Sequence, residues 1–200
     1  MAILVLSGPS GAGKSTIINN AAPYIGSYHF SISTTTRPPR NGETNGKEYY
    51  FVSKEEFEAD IKAGDFLEYA KVHDNYYGTS LKPVNEALKD GKLVIFDIDV
   101  QGHKLVREKL DDITTSIFIT PPTISELERR LRLRSLDDDG IIQRRITNAQ
   151  KEIKSIKEFD FVIINDTIEQ ATKEFIAIAN AARLKRSHKE IDNIVKYWKN

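Results

Sequence analysis

Directly after the apolar run Ile3-Leu4-Val5-Leu6, the chain reads Gly8-Pro9-Ser10-Gly11-Ala12-Gly13-Lys14-Ser15, a G-x-x-x-x-G-K-S spacing. Nothing else in the sequence restricts the fold so tightly. Glycines at these places let the backbone curl until successive N–H groups converge on phosphate oxygens, and Lys14 carries a positive charge to the β and γ phosphates of a nucleotide. Ser15 offers a hydroxyl ligand to Mg²⁺. A helix opening at this point and running on through Thr16-Ile17-Ile18 turns its N-terminal amides toward the same anion. Strand, glycine loop and helix in this order demand a parallel sheet with helices on its faces, because a strand that is apolar at nearly every position must be covered on both sides.

At 200 residues the chain has room for one α/β domain with small inserted subdomains. Lys plus Arg and Asp plus Glu both number 29, so no global field would draw the molecule to nucleic acid or an anionic membrane, and neither is an expected partner. Charge is instead local: Arg129, Arg130, Arg132, Arg134, Arg144 and Arg145 fall in one short stretch. The absence of cysteine excludes disulfides and thiolate metal sites and is compatible with a reducing cytosol. The chain opens almost at once on a core strand, without the pattern of a cleavable leader, and no apolar run has the length of a membrane span, so a cytoplasmic protein is expected. The four histidines are scattered and have no metal-ligand spacing.

In chain order, the spacing predicts strands over 2–6, 30–33 and 49–52, and a helix from the capping box Ser53-Lys54-Glu55-Glu56 to about Ala63. A strand over 66–72 and a loop over 73–79 follow. This stretch is rich in tyrosine and reads as a small subdomain that contacts something polar. Ser80 caps a helix over about 81–90, and Leu93-Val94-Ile95-Phe96 is a second buried strand running into Asp97-Ile98-Asp99, where a carboxylate near Mg²⁺ is expected. Asp97 and Asp99, two apart, should point to opposite sides of that strand. Further helices are predicted at about 101–109 and from Thr123, with a strand at 116–119 and the last buried strand at 161–164. Ile142, Ile146, Ala149, Ile153 and Ile156 mark one face of a long helix, and Thr167 caps a C-terminal one. Trp198 is expected to pack the chain's last helix onto the domain. The alternation predicts a three-layer α/β fold around a mostly parallel sheet.

Six segments, GPSGAGKS, STTTRPPRNGETNGKEYYFVS, FLEYA, NYYGTS, FDIDVQG and the arginine-rich stretch before IINDT, together make nearly the whole chain resemble the guanylate kinase family. The resemblance implies a P-loop fold with its core at 1–33, 81–125 and 146–200, a GMP-binding subdomain at 34–80 and a helical lid at 126–145. It further implies transfer of the γ-phosphoryl group of ATP to GMP in purine metabolism, with Mg²⁺, in a monomer or homodimer. ATP would lie on Gly8 to Thr16, with Arg130 and Arg134 above it. GMP would be held by Ser33, Arg37, Arg40, Tyr49, Glu68, Tyr77, Thr79 and Asp99. Lys14, Arg37, Arg134 and Arg145 would be catalytic, and Ser15 and Asp97 would serve the metal.

The chemistry of these side chains suits those roles. Guanidinium forks grip phosphate bidentately, and phenols add hydrogen bonds. Guanine offers N1–H and an exocyclic amine to Glu68 and Asp99, and an O6 acceptor to the hydroxyls of Ser33 and Thr79; adenine presents the opposite polarity. Plainer roles stand beside these: tyrosines that pack a subdomain, Glu68 as a solvated strand residue, and lid arginines paired with Asp137, Asp138 and Asp139. Two other functions fit parts of the pattern, a scaffold that binds phosphorylated partners and a P-loop kinase for a sugar phosphate. The intact loop argues against the first and the guanine-reading set against the second.

Overall fold

β1 (Ala2–Ser7) is buried at every position and lies at the centre of a five-stranded parallel sheet. β7 (Leu93–Asp97) and β8 (Thr114–Thr120) pair with it on either side, while β2 (Tyr28–Phe30) and β9 (Phe161–Ile164) form the edges. The structure is a computed structural model describing residues 1–72, 74–134 and 139–198, with the side chains of Val72 and Arg134 outside the description. Alternate residues of β1 feed opposite faces. Leu4 and Leu6 pack with Ile17 of α1 (Lys14–Ala21) and Phe175 of α7 (Ile168–Ala182). Ile3 and Val5 pack with Val84 of α3 (Leu81–Lys89), Phe96 and Val106 of α4 (Val100–Leu110). Each such side chain contributes roughly 1.5–3 kcal/mol of transfer free energy. The three-layer α/β fold is thereby established, and the carboxyl ends of the strands, where such sheets bind ligands, are held in fixed register.

Between β2 and β7 the chain builds a second sheet from β3 (Thr34–Thr35), β4 (Tyr50–Phe51), β5 (Phe66–Val72) and β6 (Asn75–Ser80), in the order β4-β3-β6-β5. α2 (Lys54–Ala63) begins in the predicted capping box, with Ser53 and Glu56 bonded reciprocally, and buries Phe57 between the rings of Phe66 and Tyr76, at centroid distances of 4.2 and 5.2 Å. Lys109 of α4 donates to the carbonyls of Phe66 and Leu67, tying the small sheet to the large one. α5 (Ile124–Arg134) and α6 (Asp139–Glu152) share an apolar cluster of their own, made of Leu127, Leu131, Ile142, Ile146 and Ala149.

Five local expectations are corrected. The strand predicted over 30–33 is Tyr28–Phe30, since the chain must leave the large sheet before Thr34 joins the small one. The predicted loop over 73–79 contains a strand, β6, because its tyrosines pair with β5 and Gly78 serves close strand approach instead of a turn: a Cβ there would lie 2.7 Å from the Glu68 carbonyl oxygen. β9 is an edge strand that buries only Ile163, leaving Ile164 at 56% exposure. The long helix stops at Glu152, and 153–158 tightens into a 3₁₀ turn that exposes Ile153. Trp198, at the end of α8 (His188–Trp198), is 87% exposed and does not pack that helix onto the domain.

Candidate active site

The glycine loop occupies the carboxyl end of β1, as the motif requires. Gly8 has φ +139°, and a Cβ there would fall 2.0 Å from the Ile119 carbonyl oxygen, so only glycine lets the loop lie against β8. Inside the loop the Ala12 N–H donates to the Pro9 carbonyl, and α1 starts at Lys14. Lys14 Nζ donates to the Gly8 carbonyl at 2.6 Å and stands 3.7 Å from Asp97 Oδ1. Burial raises the pKa of Asp97, and the Lys14 ammonium opposes that rise. Ser15 and Thr16 are exposed on the first turn of α1.

Beside the loop lies a cavity of about 370 Å³ lined by Gly11, Gly13, Thr16, Arg130, Leu133, Asn165 and Ile168. Asn165 is buried at the end of β9, and its Nδ2 donates to the Ala12 carbonyl at 2.7 Å, clamping the loop. Arg130 donates to the Asn165 carbonyl at 2.8 Å and to Glu126, joining α5 to the same point. Arg129 and Arg130 together hold the Glu126 carboxyl down at about 2.

The second half of the site is assembled from four separated segments. A cavity of about 320 Å³ is lined by Ser33, Glu68, Thr79, Ile98, Asp99, Gln101, Gly102 and Leu105. A register shift between Phe66 and Glu68 places Glu68 opposite Thr79, and the Thr79 hydroxyl donates to Glu68 Oε1 at 2.7 Å. Asp99 is not a strand residue, as its spacing from Asp97 suggested; it is the N-cap of α4, where its Oδ1 accepts from the N–H groups of Gln101 and Gly102.

Arg37, Tyr49 and Tyr77 form a cluster of their own. The guanidinium carbon of Arg37 is 5.5 Å from the centre of the Tyr49 ring, which meets the Tyr77 ring edge-on at 6.1 Å. The Thr35 hydroxyl accepts from the Arg37 N–H, and the Thr36 hydroxyl from that of Tyr76, so the threonine run fixes where Arg37 starts. Arg40 is exposed. On the helix pair, Arg145 is half-buried, whereas Arg132 is paired with Glu128 and Asp139 on an exposed face. Arg134 ends α5, but its side chain lies outside the described residues, as do Asp137 and Asp138.

Sequence reasoning missed Asn165, Glu43 and Gln101. Asn165 had a signal, a lone amide at the carboxyl end of a parallel strand, where ligands gather. Glu43 follows the turn residues Asn41-Gly42, and Gln101 stands in the first turn of the helix after Asp99. Among the described residues no group of three or more His, Cys, Asp or Glu side chains is placed to hold a metal. No described helix is long and apolar enough to cross a membrane.

Residues 1–182 match the family model described as guanylate kinase. A guanylate kinase of Sulfurimonas denitrificans is 57% identical over 98% of this chain and 96% of its own length. One from Wolinella succinogenes is 52% identical over 99% and 92%. The crystal structure of guanylate kinase from Anaplasma phagocytophilum superposes with a TM-score of 0.66 at 34% identity, covering 92% of this chain and 87% of that one.

Proposed function

The chain belongs to the guanylate kinase family, and on that premise we propose how its residues divide the transfer of the γ-phosphoryl group from ATP to GMP. The amides of Gly8 to Thr16 and the Lys14 ammonium take the donor phosphates. The cavity beside Asn165 and Arg130 takes the donor's base and ribose. Arg37, Arg40, Tyr49 and Tyr77 hold the acceptor phosphate, while Ser33, Glu68, Thr79 and Asp99 read guanine. The acceptor is already a phosphate oxygen, so no strong base is needed; alignment and charge compensation carry the reaction.

Ser15 and Asp97 fit Mg²⁺, since both offer hard oxygen and the half-buried Asp97 carboxylate gains from a nearby cation. Bound there with ATP, the ion would neutralise charge on the donor phosphates. Residues 126–145 act as a lid, bringing Arg134 and Arg145 over the migrating group and shutting out water, and residues 34–80 act as the acceptor subdomain. A separate apolar cluster within α5 and α6 supports the lid reading. The protein works in the cytoplasm as a monomer or homodimer, without nucleic acid or membrane.

The observation carrying this reading is that Ser33, Glu68, Thr79 and Asp99, drawn from four separated segments, line one cavity. It is tested by coupled ADP release with ATP and Mg²⁺, offering GMP, AMP, CMP and UMP. Turnover with GMP alone, lost in Lys14→Ala, is the expected outcome. A folded protein that turns over none of the four, or prefers another, overturns the reading.

A further inference from the structure

The Glu43 carboxylate touches both arginines of the acceptor-phosphate cluster. Arg37 Nη2 donates to its Oε1 at 2.8 Å and Oε2 at 2.9 Å. Its Oε2 also accepts the backbone N–H of Arg40 at 2.7 Å. Both charged side chains are largely covered, at 12% exposure for Arg37 and 18% for Glu43. The sequence builds this locally. Pro38 and Pro39 stiffen the segment between the arginines, the Glu43 N–H closes a turn onto the Arg40 carbonyl, and Gly42 supplies φ +89° within it. The turn therefore folds Glu43 back across the proline pair onto Arg37.

Without the carboxylate, Arg37 would keep the Pro38 carbonyl, the Tyr77 phenol and two aromatic faces, but lose the two carboxylate oxygens that engage Nη2. A guanidinium has five N–H donors, and the Glu43 and Pro38 contacts leave part of that fork open to an oxyanion. One carboxylate also offsets part of the charge of two arginines. The Arg37 pairing holds the Glu43 carboxyl below the usual range, so it is ionised throughout neutral pH.

We propose that Glu43 is a positioning residue for the acceptor phosphate: it aims the Arg37 fork and pins the Arg40 backbone so that a nucleoside monophosphate meets a preformed grip. This deepens the functional reading above and rests on it. The proposal is specific to the phosphate group, and guanine recognition by Glu68 and Asp99 should not depend on it.

The test compares GMP and guanosine binding to wild type, Glu43→Gln and Glu43→Asp by NMR titration, with KM for ATP and GMP measured alongside. Glu43→Gln should weaken GMP on the order of tenfold, the lower end of what losing a supporting carboxylate does at built metal sites. Guanosine affinity and KM for ATP should be unchanged, and Glu43→Asp should recover part of the loss. Unchanged GMP affinity in Glu43→Gln, tighter GMP, or equal losses of GMP and guanosine would each overturn the proposal, the last showing a merely structural role. If Glu43→Gln does not fold, Glu43→Asp decides by the same GMP-to-guanosine comparison, since its shorter carboxylate cannot keep both arginine contacts. Failure of wild type to bind GMP at all would instead count against the functional reading.

Discussion

The two halves of the proposed site are made of different material. On the donor side, backbone does the work: a glycine loop pressed onto β8 and clamped by Asn165, at the end of a strand with every residue buried. On the acceptor side, side chains do it, delivered by short strands, a turn and a helix cap that meet only in the folded molecule. A backbone site tolerates almost no change in its own residues. A side-chain site can lose one function at a time.

The largest test of that contrast is in the loop. Gly8→Ala drives a methyl group into the Ile119 carbonyl, 2.0 Å from the ideal Cβ position, and should lower both the melting temperature and nucleotide binding. On the role proposed for Lys14, Lys14→Ala should reduce kcat by roughly a hundredfold to a thousandfold or more with a smaller change in melting temperature than Gly8→Ala, since it would remove charge from the migrating group. A thermal melt beside the turnover assay separates the two. If Gly8→Ala melts and turns over like wild type, the donor half is not a backbone site.

Gly78→Ala is the matching change on the acceptor side. Its Cβ would lie 2.7 Å from the Glu68 carbonyl oxygen, so β5 must shift from β6. Overpacking of this kind costs about 1–3 kcal/mol. The expected signature is a raised KM for GMP with KM for ATP intact, and equal increases in both would mean that the halves are mechanically one unit.

Asp97→Asn should uncouple stability from activity. Burial raises the pKa of this carboxyl above the ordinary aspartate value of 3.8. The folded state therefore binds the proton more tightly than the unfolded chain, and stability declines as pH rises from that value through the folded pKa. Removing the charge should leave the melting temperature at neutral pH equal or higher while turnover falls. A clear drop in melting temperature would show that the Lys14 contact outweighs desolvation.

The smallest effect is expected away from the site. His103 is buried against Phe159, with ring centroids 4.0 Å apart, and neither ring nitrogen has a partner among the described residues. Burial, and then the nearby Arg107, lower its pKa below 6.5, so its neutral form is favoured in the fold and stability is lost as pH falls below that value. His103→Phe should flatten this acid limb in a series of melts from pH 7 to 5, with kcat unchanged. An acid limb as steep as that of wild type would assign the titration elsewhere.

The same contrast explains what the sequence disclosed. The strand–loop–helix start was legible because each position has one job, and β1 and the Ser53 capping box followed from local pattern. The pairing of Glu68 with Thr79 depends on a register shift that periodicity does not announce. Gly78 reads as a turn residue until the neighbouring strand is seen against it. β9 has the composition of a central strand and becomes an edge only because no further strand follows it in the sheet. Glu43 was invisible because its partner Arg37 lies across two prolines, and only the Gly42 turn brings them together.

The central claim is that guanine is chosen in the acceptor half alone. The most direct measurement is the ratio of kcat/KM for GMP to that for AMP in wild type and Glu68→Gln, with KM for ATP recorded in both. The ratio should fall at least tenfold, as loss of a base-reading hydrogen-bond partner should produce, with KM for ATP unmoved. An unchanged ratio, or a rise in KM for ATP to match, would contradict the claim.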